Sequence, residues 1–497
     1  MAMGRRRQQQ QSLFIPADGL PKSLGHPFYL RLNRLLAEAE FDRWVERRCQ
    51  PYYQQEEKRG QPSIPPGVYF RMLLVGYFEG IGSQRGIAWR CADSLSLREF
   101  LGIPLNERSP DHSTLTNTRQ RLPAEVFAEV FQFVLRIAVE KKLLSGKTVA
   151  VDSTTLEADA AMKSIVRRDT GEDWREYVAR LMREEGVIEP QKQPTDEEIR
   201  RYDRKRKNKK VSNDEWYSPN APESRITKLK DGRTHAAYKA EHVADLKSDL
   251  VLGVTLHPGD RADTDTLVDS VMDAQENLKQ AGSSQEIEEV AADKGYHAAG
   301  TLELCDALNL RTYIPERRNR YRSKWKDKKP EFQRAVYLNR QRTRRAKSKR
   351  LQRRRSEICE RTFAHVCNTG GMRRSWLSEL ADITKRYLIA VAGHNLGRIM
   401  RKLFGIGKPK GLQGEGGLAA LVQLISGCVW LLYNAVRTHQ ALHAMFADRR
   451  TPERDDSGKH PYFNGLLGSL DRMSSARARL RLPLPPRRTI QLDVANE

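Results

Sequence analysis

The sequence predicts an α/β protein, a mixed sheet with helices, preceded by an all-helical amino-terminal domain. Three observations carry this reading. Over the first 145 residues apolar side chains recur at spacings of three and four. After Gly146 the pattern turns to β-branched and alternating runs, and from there strand-like and helix-like segments alternate to about residue 405. The 497 residues leave room for roughly three domains.

Residues 1–20 read as a basic and polar tail, and 21–145 as the helical domain, with segments such as FYLRLNRLLAEAEFDRWVERR and AEVFAEVFQFVLRIAVEKKLL. In SPDHSTLTNTRQRLP the Ser, Asp and Thr residues suit a helix start, and Arg119 and Arg121 follow on a helix facing either a polyanion or plain solvent. Thr148 to Val151 is a short strand ending on Asp152, after which residues 166–224 read as a charged helical insertion. RTHAAYKAEHVADL and SDLVLGVTLHPG are two further strands about a Lys247–Asp249 turn. A helix (TDTLVDSVMDAQENLKQAG), a strand ending on Asp293 (IEEVAAD), a helix over Thr301–Leu308 and a strand (RTYIP) follow. A basic arm, 311–355, then leads into a helix carrying Glu357 and Glu360. Residues 406–497 read as a helical tail. Its apolar run Leu418–Val436 is broken by Gln423, Ser426 and Asn434, which fits a core or dimer helix better than a membrane span.

Charge narrows the function. The 87 Lys and Arg against 63 Asp and Glu leave a net +24, which favours polyanionic partners. Between Arg311 and Arg355 there are 20 basic and three acidic residues, a net +17, so the remaining 452 residues carry only +7. Tyr321, Trp325, Phe332 and Tyr337 are interleaved there, which favours a nucleic-acid surface over a solvated helix or disordered arm. The six cysteines include no CxxC pair, and Cys359, His365 and Cys367 lack a further ligand and the spacing of a zinc site. The amino terminus has no apolar signal-peptide run, so the expected location is cytoplasmic, without a membrane.

Asp152 and Asp293 end apolar runs, where a strand presents a side chain at the edge of a sheet, and a glutamate near 360 follows the positive stretch. Three converging carboxylates stay ionised only if divalent cations neutralise them. Oxygen donors suit Mg²⁺ or Mn²⁺, and two ions about 4 Å apart support in-line displacement at phosphorus. The alternative is that the aspartates merely cap strand ends. Neither Ser153 nor His297 has the surroundings of a nucleophile or its base, and the absence of GxxxxGK[ST] argues against an ATP-driven motor.

The strings VAVDSTTLEADA, DGRTHAAYKAEHVAD, AADKGYHA and ERTFAHVCNTGGMRR resemble the signature blocks of bacterial insertion-sequence DDE transposases. HPFYLRLNRLL through DHSTLTNTRQRLP resembles the helical domain that accompanies that core. The resemblance spans about residues 20 to 405. It implies an RNase H-like catalytic domain over 146–405, with Asp152, Asp293 and Glu360 as catalytic residues and as ligands of two Mg²⁺ or Mn²⁺ ions. Glu357 is the alternative third acid. Related enzymes often carry a lysine six or seven residues after the glutamate, where Val366 and Cys367 stand here, so Arg361, Arg373 or Arg374 would take its place.

The DNA-contacting candidates are Lys294, Arg344, Arg345, Lys349, Arg353, Arg354, Arg361 and Arg373, with Lys294 equally readable as solvated. Trp325 is a candidate for stacking on an extruded base, and His297 for supporting the site from behind. His235, Lys239 and His242 fall on a strand with alternating faces, where core or solvent roles compete with a site role. The implied function is a nucleoid-associated DNA transposase, a homodimer on double-stranded DNA. It would bind element ends, cleave them and transfer 3′-hydroxyl ends to target DNA. The rivals are a catalytically inactive, transposase-derived DNA-binding protein and a basic RNA-associated protein.

Overall fold

In the computed structural model, which describes residues 25–53, 63–207, 212–229, 232–317 and 328–412, helices come first. They are α1 (Pro27–Glu38), α2 (Phe41–Cys49), α3 (Pro66–Glu79), α4 (Gln84–Asp93), α5 (Leu95–Leu101), α6 (His112–Arg121) and α7 (Ala124–Glu140). Residues 1–20, Tyr321, Trp325 and the tail from 413 on, including the Leu418–Val436 run, lie outside the described residues. No described helix is long and apolar enough to cross a membrane.

Asp111 caps α6, its carboxylate accepting the Thr114 N–H at 2.9 Å. Arg119 is buried on that helix and pairs with Asp382 at 3.1 Å, so it does not face a polyanion. α7 packs on a long helix from the other end of the described chain, α14 (Leu380–Phe404). One continuous apolar core accordingly runs from Phe28 to Met400, and the change of pattern after Gly146 marks a change of secondary structure within it.

The sheet begins with β1 (Thr148–Glu157). An excursion follows: β2 (Val166–Arg167), α8 (Trp174–Glu184), α9 (Asp196–Lys205) and β3 (Trp216–Tyr217). Both helices carry reciprocal capping boxes, Asp173 with Glu176 and Thr195 with Glu198, and they close a small core of Val178, Met182 and Ile199. The chain returns through β4 (Arg225–Lys228), β5 (Thr234–Asp245), β6 (Val251–Pro258), α10 (Asp263–Gln280), β7 (Glu289–Ala292), α11 (Ala299–Ala307) and β8 (Arg311–Tyr313). The basic stretch is largely helical: α12 (Pro330–Thr343) buries Ala335 and Val336, and α13 (Ala346–Phe363) lies against β1, β7 and β8. Periodicity is hard to read there because charged side chains cover nearly every exposed position.

β5 is antiparallel to β1, whereas β7 and β8 run parallel to it, giving the order β5-β1-β7-β8 with β4 and β6 both paired to β5. This mixed sheet with its helices is the RNase H-like arrangement. Two buried asparagines close strand edges: Asn339 of α12 bonds the N–H and C=O of Ile314, and Asn395 of α14 does the same for Val251, at 2.9 and 2.8 Å. Asp249, in the β5–β6 turn with a left-handed φ of 62°, accepts from Arg354 at 2.8 Å and Arg361 at 3.0 Å on α13 and from Arg398 on α14.

Asn395→Ala leaves two backbone groups of Val251 without partners in the core. At about 1–3 kcal/mol for each such group, it should lower unfolding stability by roughly 2–6 kcal/mol in urea denaturation. A loss under about 0.5 kcal/mol, the size of an ordinary surface substitution, would show that the clamp is dispensable.

Candidate active site

β1 pairs with β7 only through Val151 and Ala292, and the next residues along the two strands are Asp152 and Asp293. Both carboxylates therefore stand where the parallel strands part. Asp293 caps a short 3-10 turn (Lys294–Tyr296), accepting the Gly295 N–H. Asp152 accepts from its neighbour Ser153 N–H at 2.9 Å and from Arg355 of α13 at 2.7 Å. α13 also closes the strand ends, because the Gln352 amide donates to Ala292 O at 3.0 Å and Tyr313 O at 2.6 Å.

Burial pushes the Asp152 carboxyl above its usual range. The Arg355 guanidinium and the Ser153 N–H pull against that, while the charges of Asp293 and Asp263 add to it. Several carboxylates thus crowd a half-buried pocket in which Arg355 opposes Asp152 and Lys239 opposes Asp263.

The two candidate glutamates differ. Gln352, Arg355 and Cys359 form the stripe of α13 nearest the strand ends; at about 100° per residue, Glu360 lies on its flank and Glu357 on the far side. Glu357 is paired with Arg354 and Arg361, whereas Glu360, among the described residues, accepts only the Ser356 hydroxyl at 2.8 Å and is exposed. The buried Cys359 thiol feels Asp152 and, more weakly, Glu360, which ties the two acids to one neighbourhood. As the side chains stand, no group of three or more His, Cys, Asp or Glu among the described residues is close enough to hold a metal, Cys359, His365 and Cys367 included. Asp152 and Asp293 nevertheless offer the oxygen donors a hard divalent cation takes, and Arg355 stands against Asp152 as a cation would.

Family models match the chain in two places: "Transposase domain (DUF772)" over residues 21–121 and "Transposase DDE domain" over 145–396, just over half of the chain. The chain belongs to the DDE transposase family. No curated protein and no solved structure matches it significantly.

The transposase divides its basic residues between two tasks. Arg354 and Arg361 are bound to Asp249 and Glu357. Lys294, Arg344, Arg345, Lys349 and Arg353 are exposed, and Arg344 and Lys349 line a groove of about 470 Å³ beside Gln352. Arg373 is exposed where the 373–375 segment runs along the end of β1; Arg373 O accepts the Glu157 N–H at 3.0 Å.

His242 is fully buried between Thr362 and Tyr387 and stacked on Phe363, and burial lowers its pKa to about 3, so it is a neutral core group. His297 is half-buried, with its own pKa lowered by burial. Behind the strands lies a network that sequence reading did not single out. Asp263 of α10 accepts from Ser153 at 3.0 Å and Lys239 at 2.8 Å, while Glu241 accepts from Tyr296 at 2.6 Å and Thr266 at 3.1 Å. Gly295 fits so closely that a Cβ there would meet Asp263 Oδ2 at 2.7 Å. The only trace of this network in the sequence is Lys239 and Glu241 two apart on one strand face.

Arg355→Met should move the Asp152 titration to still higher pH, read by carboxylate ¹³C NMR; an unchanged midpoint would mean burial alone sets it. The folded chain already holds that proton more tightly than the unfolded chain. Asp152 therefore makes stability fall as pH rises from the ordinary carboxylate range through its folded titration, and the fall should widen in the variant.

Proposed function

We infer that this transposase cuts DNA at the ends of its own element and joins the 3′-hydroxyl ends to target DNA, using Asp152, Asp293 and Glu360. The observation that carries this reading is the pair of aspartates at the parting of β1 and β7, faced by a helix that bears an unpaired glutamate. Divalent cations, two Mg²⁺ or Mn²⁺ in this reading, would activate the attacking hydroxyl and stabilise the leaving 3′-oxygen. Asp152 and Asp293 would hold them from two adjacent strand ends and Glu360 from the flank of α13. Arg355 neutralises Asp152 until then, which keeps two neighbouring carboxylates compatible in a half-buried site.

Lys294, Arg344, Arg345, Lys349, Arg353 and Arg373 are the groups we assign to the DNA backbone. They are exposed and have no carboxylate partner within ion-pair distance among the described residues, and Arg344 and Lys349 line the groove beside Gln352. Arg354 and Arg361 would instead hold α13 in place. Two element ends must be brought together for the reaction, so a homodimer on DNA belongs to this reading.

The test is cleavage and strand transfer on duplexes bearing the element's ends, with Mg²⁺. Asp152→Asn, Asp293→Asn and Glu360→Gln should each reduce activity by more than about 100-fold, beyond the usual loss for groups that only support metal ligands. Glu357→Gln should keep most of it. An Asp293→Asn protein as active as the parent would sink the carboxylate assignment, and a Glu357 effect exceeding that of Glu360 would exchange the two glutamates.

Lys349→Ala and Arg353→Ala should weaken binding of unrelated duplex sequences uniformly. Each should also flatten the slope of log affinity against log salt by about 1, measured by fluorescence anisotropy. A slope equal to the parent's would remove that residue from the DNA surface.

A further inference from the structure

Past Glu360, α13 widens into a π-helical turn (Ala364–Thr369) that runs beside α14. Between these segments lies a cavity of about 340 Å³, within the roughly 300–1,000 Å³ usual for ligand sites. Its polar lining is Arg361, His365, His394, Arg398, Arg401 and Lys408, with no acidic side chain among the described residues. Two glycines keep it open: a Cβ on Gly397 would meet Gly407 O at 2.8 Å, and one on Gly407 would meet Arg401 Nε at 2.9 Å.

The donors are poorly satisfied. His394 is 3% exposed, and its Nε2 has no hydrogen-bond partner among the described residues. Arg398 gives one end of its guanidinium to Asp249 but leaves its buried Nε unpaired. Lys408 reaches only His365 Nδ1, at 2.8 Å, and Arg401 has no ion-pair partner among the described residues. The electrostatics agree. Burial and then the charges of Lys408, Arg398, Arg401 and Arg361 push His365 down to about 4, and burial followed by Arg401 lowers Lys408. The lining is thus short of negative charge and rich in unused donors pointing from two elements.

We propose that this cavity binds a phosphate group, held by Arg398, Arg401 and Lys408 and by the N–H of a neutral His394. Phosphate suits it better than a carboxylate because the donors come from several directions and a tetrahedral group presents acceptors to all of them. The assignment does not depend on the carboxylate chemistry above. The phosphate of a DNA strand and free phosphate share the required chemistry, and the experiment separates them.

The full chain is titrated with sodium phosphate against sodium chloride at matched ionic strength and pH, reading thermal stability, with the parent compared to Arg401→Gln/Lys408→Met. These substitutions leave the Asp249 ion pairs in place. The parent's melting temperature should rise saturably with phosphate, and the double variant should need at least tenfold more. If duplex binding by the variant also weakens at constant salt and phosphate competes with duplex on the parent, the occupant is a DNA phosphate. Unaffected duplex binding makes it the free anion. Equal phosphate stabilisation of both proteins, or none of either, overturns the proposal. Should the double variant fail to fold, phosphorus NMR of inorganic phosphate with the parent and Lys408→Met answers the same question, and no saturable broadening with the parent overturns it.

Discussion

The unequal pairing of β1 shapes the rest of the molecule. On one side it stays hydrogen-bonded to β5 as far as Glu157; on the other its parallel partner β7 stops opposite Val151. A strand with one paired edge and one released edge must have its free backbone groups covered. The 373–375 segment covers those of β1 beside Glu157, and Gln352 of α13 takes the carbonyls of Ala292 and Tyr313 at the ends of β7 and β8. The interval between these covers is where Asp152 and Asp293 face α13. The site is therefore a consequence of sheet geometry, and the carboxylate chemistry proposed above would occupy the place where that geometry leaves room.

Helix α13 serves three surfaces at once. Its inner stripe meets the strand ends through Gln352, Arg355 and Cys359; its outer stripe is pinned to Asp249 by Arg354 and Arg361; and its last turn opens into the cationic cavity beside α14. Asp249 is buried, and removing it would leave Arg398 without its carboxylate and Arg354 and Arg361 with Glu357 alone. This ties the position of Glu360 to an ion-pair cluster on another face of the same helix. Where the chain is most basic, the charge is thus partly structural and partly free for a polyanion.

Much of the architecture was legible in the sequence because its periodicities are local. The two strands about the Lys247–Asp249 turn, the helix that follows and the strand ending on Asp293 all lie where alternation and spacing put them, whereas β1 starts at Thr148 as expected but runs on past Asp152 to Glu157, held by its pairing with β5. The charged excursion after β1 folds as helices, with capping boxes that can be read from four consecutive residues. The basic stretch was less legible: α12 buries only a few apolar side chains, and its fixing contact, the Asn339 clamp on Ile314, joins residues 25 apart.

The sequence by itself determined the fold class and the family, and it put the two aspartates side by side where β1 and β7 part, since each rests on short strings whose meaning is local. Only the tertiary structure decided which arginines are spent. Arg354, Arg355 and Arg361 look alike in the sequence, yet two hold Asp249 and one holds Asp152. It likewise gathered Asp263, Lys239 and Glu241 behind the strands. The physical reason is that an ion pair depends on distance in space, and residues more than a hundred positions apart reveal that distance only after the sheet has formed.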